Sequence, residues 1–331
     1  MFWEKGFWGL EIELSEECNL TCSYCPQSHM ATTLNPNLLE KAIITHDWKA
    51  VELTGGEPFL KPELIEKAVI LARKKEICEI VAYSNGTIPL SENYLEHLKS
   101  LGLSALHFSV FSLKRELWEK FRRGTGEQFS TLLSNLKTAS KILPVWAEIM
   151  WTRHNHDEIF ESAETLWKMG VNYVELQYPI PTAIYEGLEP TLDQVKEVMS
   201  KANLYATILP RPIIINCFFI PMCILPRNPV FFFDPCICGK GLLCLKPDGK
   251  VSICNLTNRI MGDLNEQSWR EIFSRTQGLL NSLELERGFC ENCYSCSKTS
   301  CYSFENSFKG NYREAYLDWQ AKHKPGKTKQ L

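Results

Sequence analysis

Six times between residues 9 and about 203, a short run of apolar or β-branched residues gives way to a longer stretch whose apolar positions recur at helical spacing. That alternation restricts the chain to parallel strands joined by crossover helices. The spacing predicts strands over Gly9 to Leu14, Ala50 to Leu53, Ile77 to Tyr83, Ala105 to Val110, Leu143 to Met150 and Asn172 to Gln177. Between them it predicts helices over Pro36 to His46, entered by Asn35 as a cap, then Pro62 to Lys75, Glu92 to Leu101, Phe129 to Leu143, Glu158 to Met169 and Leu192 to Asn203. Six units form an open, partial (β/α)6 TIM-type barrel, in which chemistry gathers where the strands end.

Past residue 204 the period is lost to prolines, aromatics and eight of the 14 cysteines, which lie between Cys236 and Cys301. Three parts are therefore expected: a core over 1–205, a Pro- and aromatic-rich bridge over 206–235, and a cysteine-rich, metal-stapled domain over 236–331. Hydrophobic residues at 44% and charged residues at 23% exclude wholesale disorder. A net charge of −3, with one short basic tail at Lys322 to Lys329, offers no field for a polyanion, so no nucleic-acid partner is expected. The apolar stretch Pro212 to Pro226 is broken by Pro221 and too short to span a bilayer. No apolar signal segment precedes the first strand, and clustered cysteines then argue for a reducing, cytoplasmic setting and for metal or catalysis rather than disulfides.

Directly after the first strand come Cys18, Cys22 and Cys25, a C-x3-C-x2-C loop. Three thiolates leave one iron of a four-iron cubane open to another ligand. A structural zinc would want a fourth donor, the nearest being His29, which would have to fold back. A thioredoxin-like pair, Cys22 with Cys25, would leave Cys18 without a role. A Gly55-Gly56-Glu57-Pro58 turn follows the second strand, its glycines permitting close backbone approach and Glu57 offering an acceptor for an ammonium.

The cysteine loop, with the aromatic Tyr24 before its last cysteine, and the following GGEP turn resemble the radical S-adenosylmethionine (SAM) superfamily. The resemblance implies that Cys18, Cys22 and Cys25 bind three irons of a 4Fe-4S cluster. SAM would chelate the fourth iron, its ammonium meeting the Gly55, Gly56 and Glu57 turn. Reductive cleavage would yield a 5′-deoxyadenosyl radical that abstracts a substrate hydrogen, with a flavodoxin- or ferredoxin-type protein as reductant. Ser84, Asn85 and Ser109, at the ends of the third and fourth strands, would hold the ribose or carboxylate, and Arg123 would pair with the carboxylate. His154, His156, Trp151, Gln177 and Tyr178 lie where a substrate could be touched; the two histidines also read simply as polar residues entering a helix.

The later cysteines read Cys236, Cys238, Cys244, Cys254 and then Cys290, Cys293, Cys296, Cys301. Cys238-Gly-Lys-Gly, followed by Pro247-Asp248-Gly249 and Cys254, resembles the SPASM extension, and its reduced form is the twitch domain. One or two auxiliary 4Fe-4S clusters are implied; zinc knuckles suit the same C-x2-C pairs. Cys223 is a candidate hydrogen donor beside Cys217, with plain packing as the alternative, and Cys78 is expected in the core. The implied activity is that of an oxidoreductase maturing a peptide or protein. A small molecule of cofactor or natural-product biosynthesis is the alternative, supported by a first strand so close to residue 1 that no recognition module precedes it. A non-catalytic metal-stapled scaffold is a further reading.

Overall fold

The computed structural model describes residues 7–25, 31–179, 187–208, 213–216, 232–233, 237–256 and 259–285. The predicted bridge falls largely outside them, as do Cys217, Cys223, Cys236, Cys290, Cys293, Cys296 and Cys301.

The six expected strands all form: β1 Gly9–Glu13, β2 Ala50–Thr54, β3 Glu79–Ser84, β4 Ala105–Ser109, β5 Val145–Met150 and β6 Tyr173–Gln177. Each pairs in parallel with the next, for example Leu10 beside Val51 and Glu148 beside Glu175. A seventh, β7 Ile213–Asn216, extends the parallel run and is followed by the two-residue β8, Phe232–Phe233. On the opposite edge β9 Leu242–Leu245 lies parallel to β1 and turns antiparallel into β10 Lys250–Ser252 and β11 Ile260–Asp263. One eleven-stranded sheet results, in the order β11-β10-β9-β1-β2-β3-β4-β5-β6-β7-β8. Strands from the cysteine-rich region thus continue the sheet of the core.

Local chemistry sets the helices. α1 (Pro36–Ile44) starts where the Asn35 side chain accepts from the backbone N–H of Asn37, with Pro36 in the first turn. α2 is Pro62–Lys74, and α3 (Glu92–Leu101) ends at Gly102, whose φ of 120° only glycine adopts freely. α4 (Arg115–Arg122), unforeseen in the sequence, precedes α5 (Gly126–Ala139), which starts three residues earlier than expected on a capping box between Thr125 and Gln128. α6 is Ile159–Lys168, α7 Leu192–Ile208 and α8 Trp269–Leu285.

Alternation along the strands separates two faces. Leu10, Ile12, Val51, Leu53, Leu106 and Phe108 point to the helices and are buried. The other face carries Glu11, Glu13, Glu52, Tyr83, His107 and Glu148, a polar set inside a barrel-type sheet. Cys78 corrects an expectation: it is exposed, because β3 begins at Glu79 and the inward position before it belongs to Ile77. Among the described residues no helix is long and apolar enough to cross a membrane.

Candidate active site

The cysteine loop leaves β1 through Ser15, whose Oγ donates to the Thr32 carbonyl. Leu20 and Tyr24 are its buried anchors. Tyr24 stacks on Phe111 at 5.1 Å between ring centres, and the backbone N–H of Ser23 donates to the Phe121 carbonyl at 2.9 Å. Pinning these positions leaves Cys18, Cys22 and Cys25 half-buried. Burial pushes the Cys18 thiol up, with nearby Glu57 and Cys22 adding to the effect and backbone and Asn85 donors opposing it. No three Cys, His, Asp or Glu side chains among the described residues are already drawn into a metal cage.

The glycines of the GGEP turn serve this loop directly. A Cβ on Gly55 would sit 2.4 Å from the Ser15 carbonyl oxygen, and one on Gly56 2.0 Å from that of Glu17. Their absence lets the backbone N–H groups of Gly56 and Glu57 donate to those carbonyls, each at 2.7 Å. The close approach expected toward a ligand is thus made to the cysteine loop itself.

Glu57 is fully buried. Its Oε1 accepts from the backbone N–H of Phe59 at 3.0 Å and the Ser84 hydroxyl at 3.1 Å, and its Oε2 from the backbone N–H of Asn85 at 2.7 Å. Burial nevertheless pushes its carboxyl up to about 7. The carboxylate therefore braces the end of β2 against the end of β3. Asn85 carries the brace onward: its Nδ2 donates to Asn19 Oδ1 at 2.8 Å and lies 3.6 Å from Cys18 Sγ. Ser109 stands half-buried at the end of β4, in register with Glu148.

Of the two adjacent arginines, the buried one is Arg122. Arg123, which the sequence placed in the site, lies exposed at the left-handed cap of α4 (φ 54°). Arg122 is 3% exposed, its Nη1 3.4 Å from the Tyr24 hydroxyl and its Nη2 3.4 Å from the Asn85 carbonyl. Its Nε has no hydrogen-bond partner, and it makes no ion pair among the described residues. The helical period could have distinguished the two, since Trp118, Phe121 and Arg122 share the buried face of α4.

Trp151 and Tyr178 are fully buried and meet edge to face, which makes them packing rather than a site surface. His156 is tied to the Arg153 carbonyl and Gln194, and His154 is half-buried against Phe121 with its basicity lowered chiefly by burial. Asn155, missed by sequence reasoning, is the structural hub there: Oδ1 accepts from the Thr152 backbone and hydroxyl, while Nδ2 donates to the Phe111 and Met150 carbonyls. Gln177 stays half-buried on the inner face; turned so that its amide nitrogen faces Glu148, it lies 2.9 Å from both carboxylate oxygens.

In the cysteine-rich region Cys238 is half-buried in the turn before β9, Cys244 is buried within β9 beside Glu11, and Cys254 is buried just past β10. Cys244 is pushed well up, first by burial and then by Glu11 and Glu13.

The donor set suits an iron–sulfur cluster with an anionic ligand: three thiols in one loop, and beside them a buried guanidinium in no ion pair among the described residues. Comparison with known proteins agrees. The sequence profile of the Radical SAM superfamily matches residues 12–166. The chain is 25% identical to a probable GTP 3′,8-cyclase of Saccharolobus islandicus over 297 residues, covering 80% of this chain and 91% of that one. It superposes on Streptococcus suis SuiB bound to S-adenosylmethionine with a TM-score of 0.72 at 13% identity, covering 93% of this chain and 76% of that one. It also superposes on anSMEcpe with bound AdoMet and Cp18Cys peptide, with a TM-score of 0.72 at 14% identity and 96% of each chain covered. With the cysteine loop at the mouth of a parallel β/α sheet and the matching profile running from β1 into α6, residues 12–166 carry the profile of the Radical SAM superfamily, a family of enzymes whose cofactors are a 4Fe-4S cluster and S-adenosylmethionine.

Proposed function

We propose that this enzyme modifies a peptide or protein, with Cys18, Cys22 and Cys25 holding the cluster and Arg122 receiving the carboxylate of SAM. The observation that carries the site is Arg122, a buried cation beside Cys18 and Cys22 that makes no ion pair among the described residues. When bound, cluster and SAM supply a carbon-centred radical able to abstract hydrogen from an unreactive C–H bond. The chain's own residues shape the place where this occurs. Glu57 and Asn85 fix the cysteine loop, Tyr24 and Phe111 wall it, and Ser84 and Ser109 stand at the strand ends beside it. Gly55 and Gly56 keep that loop close to the end of β2.

The peptide reading is supported by likeness in fold, across nearly the whole chain, to SuiB, solved with its precursor peptide SuiA, and to anSMEcpe, solved with peptides. Cys236, Cys238, Cys244, Cys254, Cys290, Cys293, Cys296 and Cys301 would hold one or two auxiliary clusters. Cys223 is the candidate hydrogen donor, a flavodoxin- or ferredoxin-type protein the reductant, and the cytoplasm the setting. A second reading, a small-molecule transformation, rests on the 25% identity to GTP 3′,8-cyclases.

Incubating anaerobically reconstituted enzyme with SAM, dithionite and either a candidate peptide or GTP separates the two. A mass change in the peptide accompanied by 5′-deoxyadenosine supports the first reading. A cyclised nucleotide supports the second.

A further inference from the structure

The inner face of the sheet is unusually acidic for a wall that a substrate must enter. Strand register places Glu11 beside Glu52, Ser109 beside Glu148, and Glu148 beside Glu175, so one carboxylate after another lines the same side of β1, β2, β5 and β6. Glu13 lies two residues beyond Glu11 on that side, where Lys246 pairs with it at 2.7 Å.

These groups converge rather than spreading over a flat surface. Glu175 on β6 comes within 3.7 Å of His107 on β4, two strands away. Tyr83 on β3 senses Glu11 and Glu52 from one direction and Glu148 and Glu175 from the other. Flat strands about 4.8 Å apart would hold β3 and β6 roughly 14 Å from one another, so the sheet must curl to bring them together.

A second observation marks the spot as incomplete. His107 is 5% exposed, packed between the tilted rings of Tyr83 and Trp146, and its Nε2 makes no hydrogen bond. At 3.7 Å the Glu175 oxygen is too far to satisfy it. A buried polar atom left so is costly, and burial keeps the ring neutral, with its pKa lowered to about 3. A neutral imidazole beside carboxyl groups offers one lone pair and several acceptor oxygens, which an incoming cation would hold in their ionised form. That is the complement of a primary ammonium or a guanidinium, which brings donors only.

We propose that the barrel lumen between His107, Glu148 and Glu175 receives a cationic group of the substrate: building on the peptide reading, the side chain of a lysine or arginine residue. A triphosphate is the opposite case. It would meet Glu11, Glu52, Glu148 and Glu175 against Lys246, already paired with Glu13, and Arg122, so like charges would face each other across the lumen.

The test uses reconstituted wild-type enzyme with SAM and four probes, binding being read by calorimetry. The probes are acetyl-Gly-Gly-Lys-Gly-Gly-amide, its norleucine counterpart, n-butylamine and GTP. The inference expects the lysine peptide to bind at least about tenfold more tightly than the norleucine peptide. Glu175→Gln should shrink that ratio severalfold while its thermal melt stays cooperative. Equal binding of the two peptides, or tightest binding by GTP, overturns the inference. Butylamine binding as tightly as the lysine peptide supports the cation site while counting against the peptide reading. 5′-Deoxyadenosine formed without any probe shows that the radical chemistry stands whichever probe is preferred.

Discussion

Asn85 couples to Cys18 across the mouth of the sheet: its amide nitrogen lies 3.6 Å from the cysteine sulfur, while its backbone N–H donates to Glu57. One residue at the end of β3 thereby joins the cysteine loop to the buried carboxylate that braces it. Glu57→Gln keeps the shape but turns one acceptor into a donor, facing backbone and hydroxyl groups that also donate. The expected cost is about 1–3 kcal/mol of stability. A lower urea midpoint for the cluster-free protein checks this; an unchanged midpoint would show that the brace carries no stability.

Arg122 and Arg123 are neighbours with opposite environments. Arg122→Met should raise the KM for SAM about 10- to 100-fold, the value of a charge-assisted bidentate contact. Arg123→Met, at an exposed position, should leave KM within about twofold of the parent. Steady-state 5′-deoxyadenosine formation measures both, and the reverse pattern would return the role to Arg123.

Burial pushes the Glu148 carboxyl up to about 7 from an ordinary 4.5, with Arg122 opposing the shift. Because the folded state then holds the proton more tightly than the unfolded chain, this group favours folding below about pH 4.5, and that contribution is lost as pH rises through about 7. Glu148→Gln should flatten the fall in stability over this window. Parallel stability-versus-pH curves for parent and variant would refute the assignment.

At Gly56 an added methyl group would meet the Glu17 carbonyl oxygen at 2.0 Å, and backbone cannot step aside as a flexible side chain can. Gly56→Ala should therefore cost about 1–3 kcal/mol and lower the iron retained by the cysteine loop. Gly187→Ala is the control for a glycine with open space around it, although its φ of 82° adds some strain of its own. Denaturant melts and iron assays report the difference.

The strands and most helices of the core were legible because β-branched runs and helical periods are local properties of the chain. Other features depend on partners distant in sequence. Ile213–Asn216 lies in an apolar, proline-flanked segment with no periodicity to mark it, and it becomes β7 through pairing with β6. The place of Cys244 beside Glu11 needs β9 to join β1 across more than 200 residues. Which of Arg122 and Arg123 is buried depends on the helix phase of α4, which two consecutive arginines do not reveal by themselves. The acidic lumen left a signal that was not used: Glu11, Glu13, Glu52, Glu148 and Glu175 each interrupt an apolar strand at its alternate positions.

The measurement that bears most directly on the whole account is anaerobic: reconstitute iron and sulfide, confirm a full cluster by its visible absorption and iron content, then add SAM and dithionite and look for 5′-deoxyadenosine. The account expects 5′-deoxyadenosine from the parent protein and none from variants in which Cys18, Cys22 or Cys25 is replaced by alanine. A cluster-loaded parent that leaves SAM intact would contradict it.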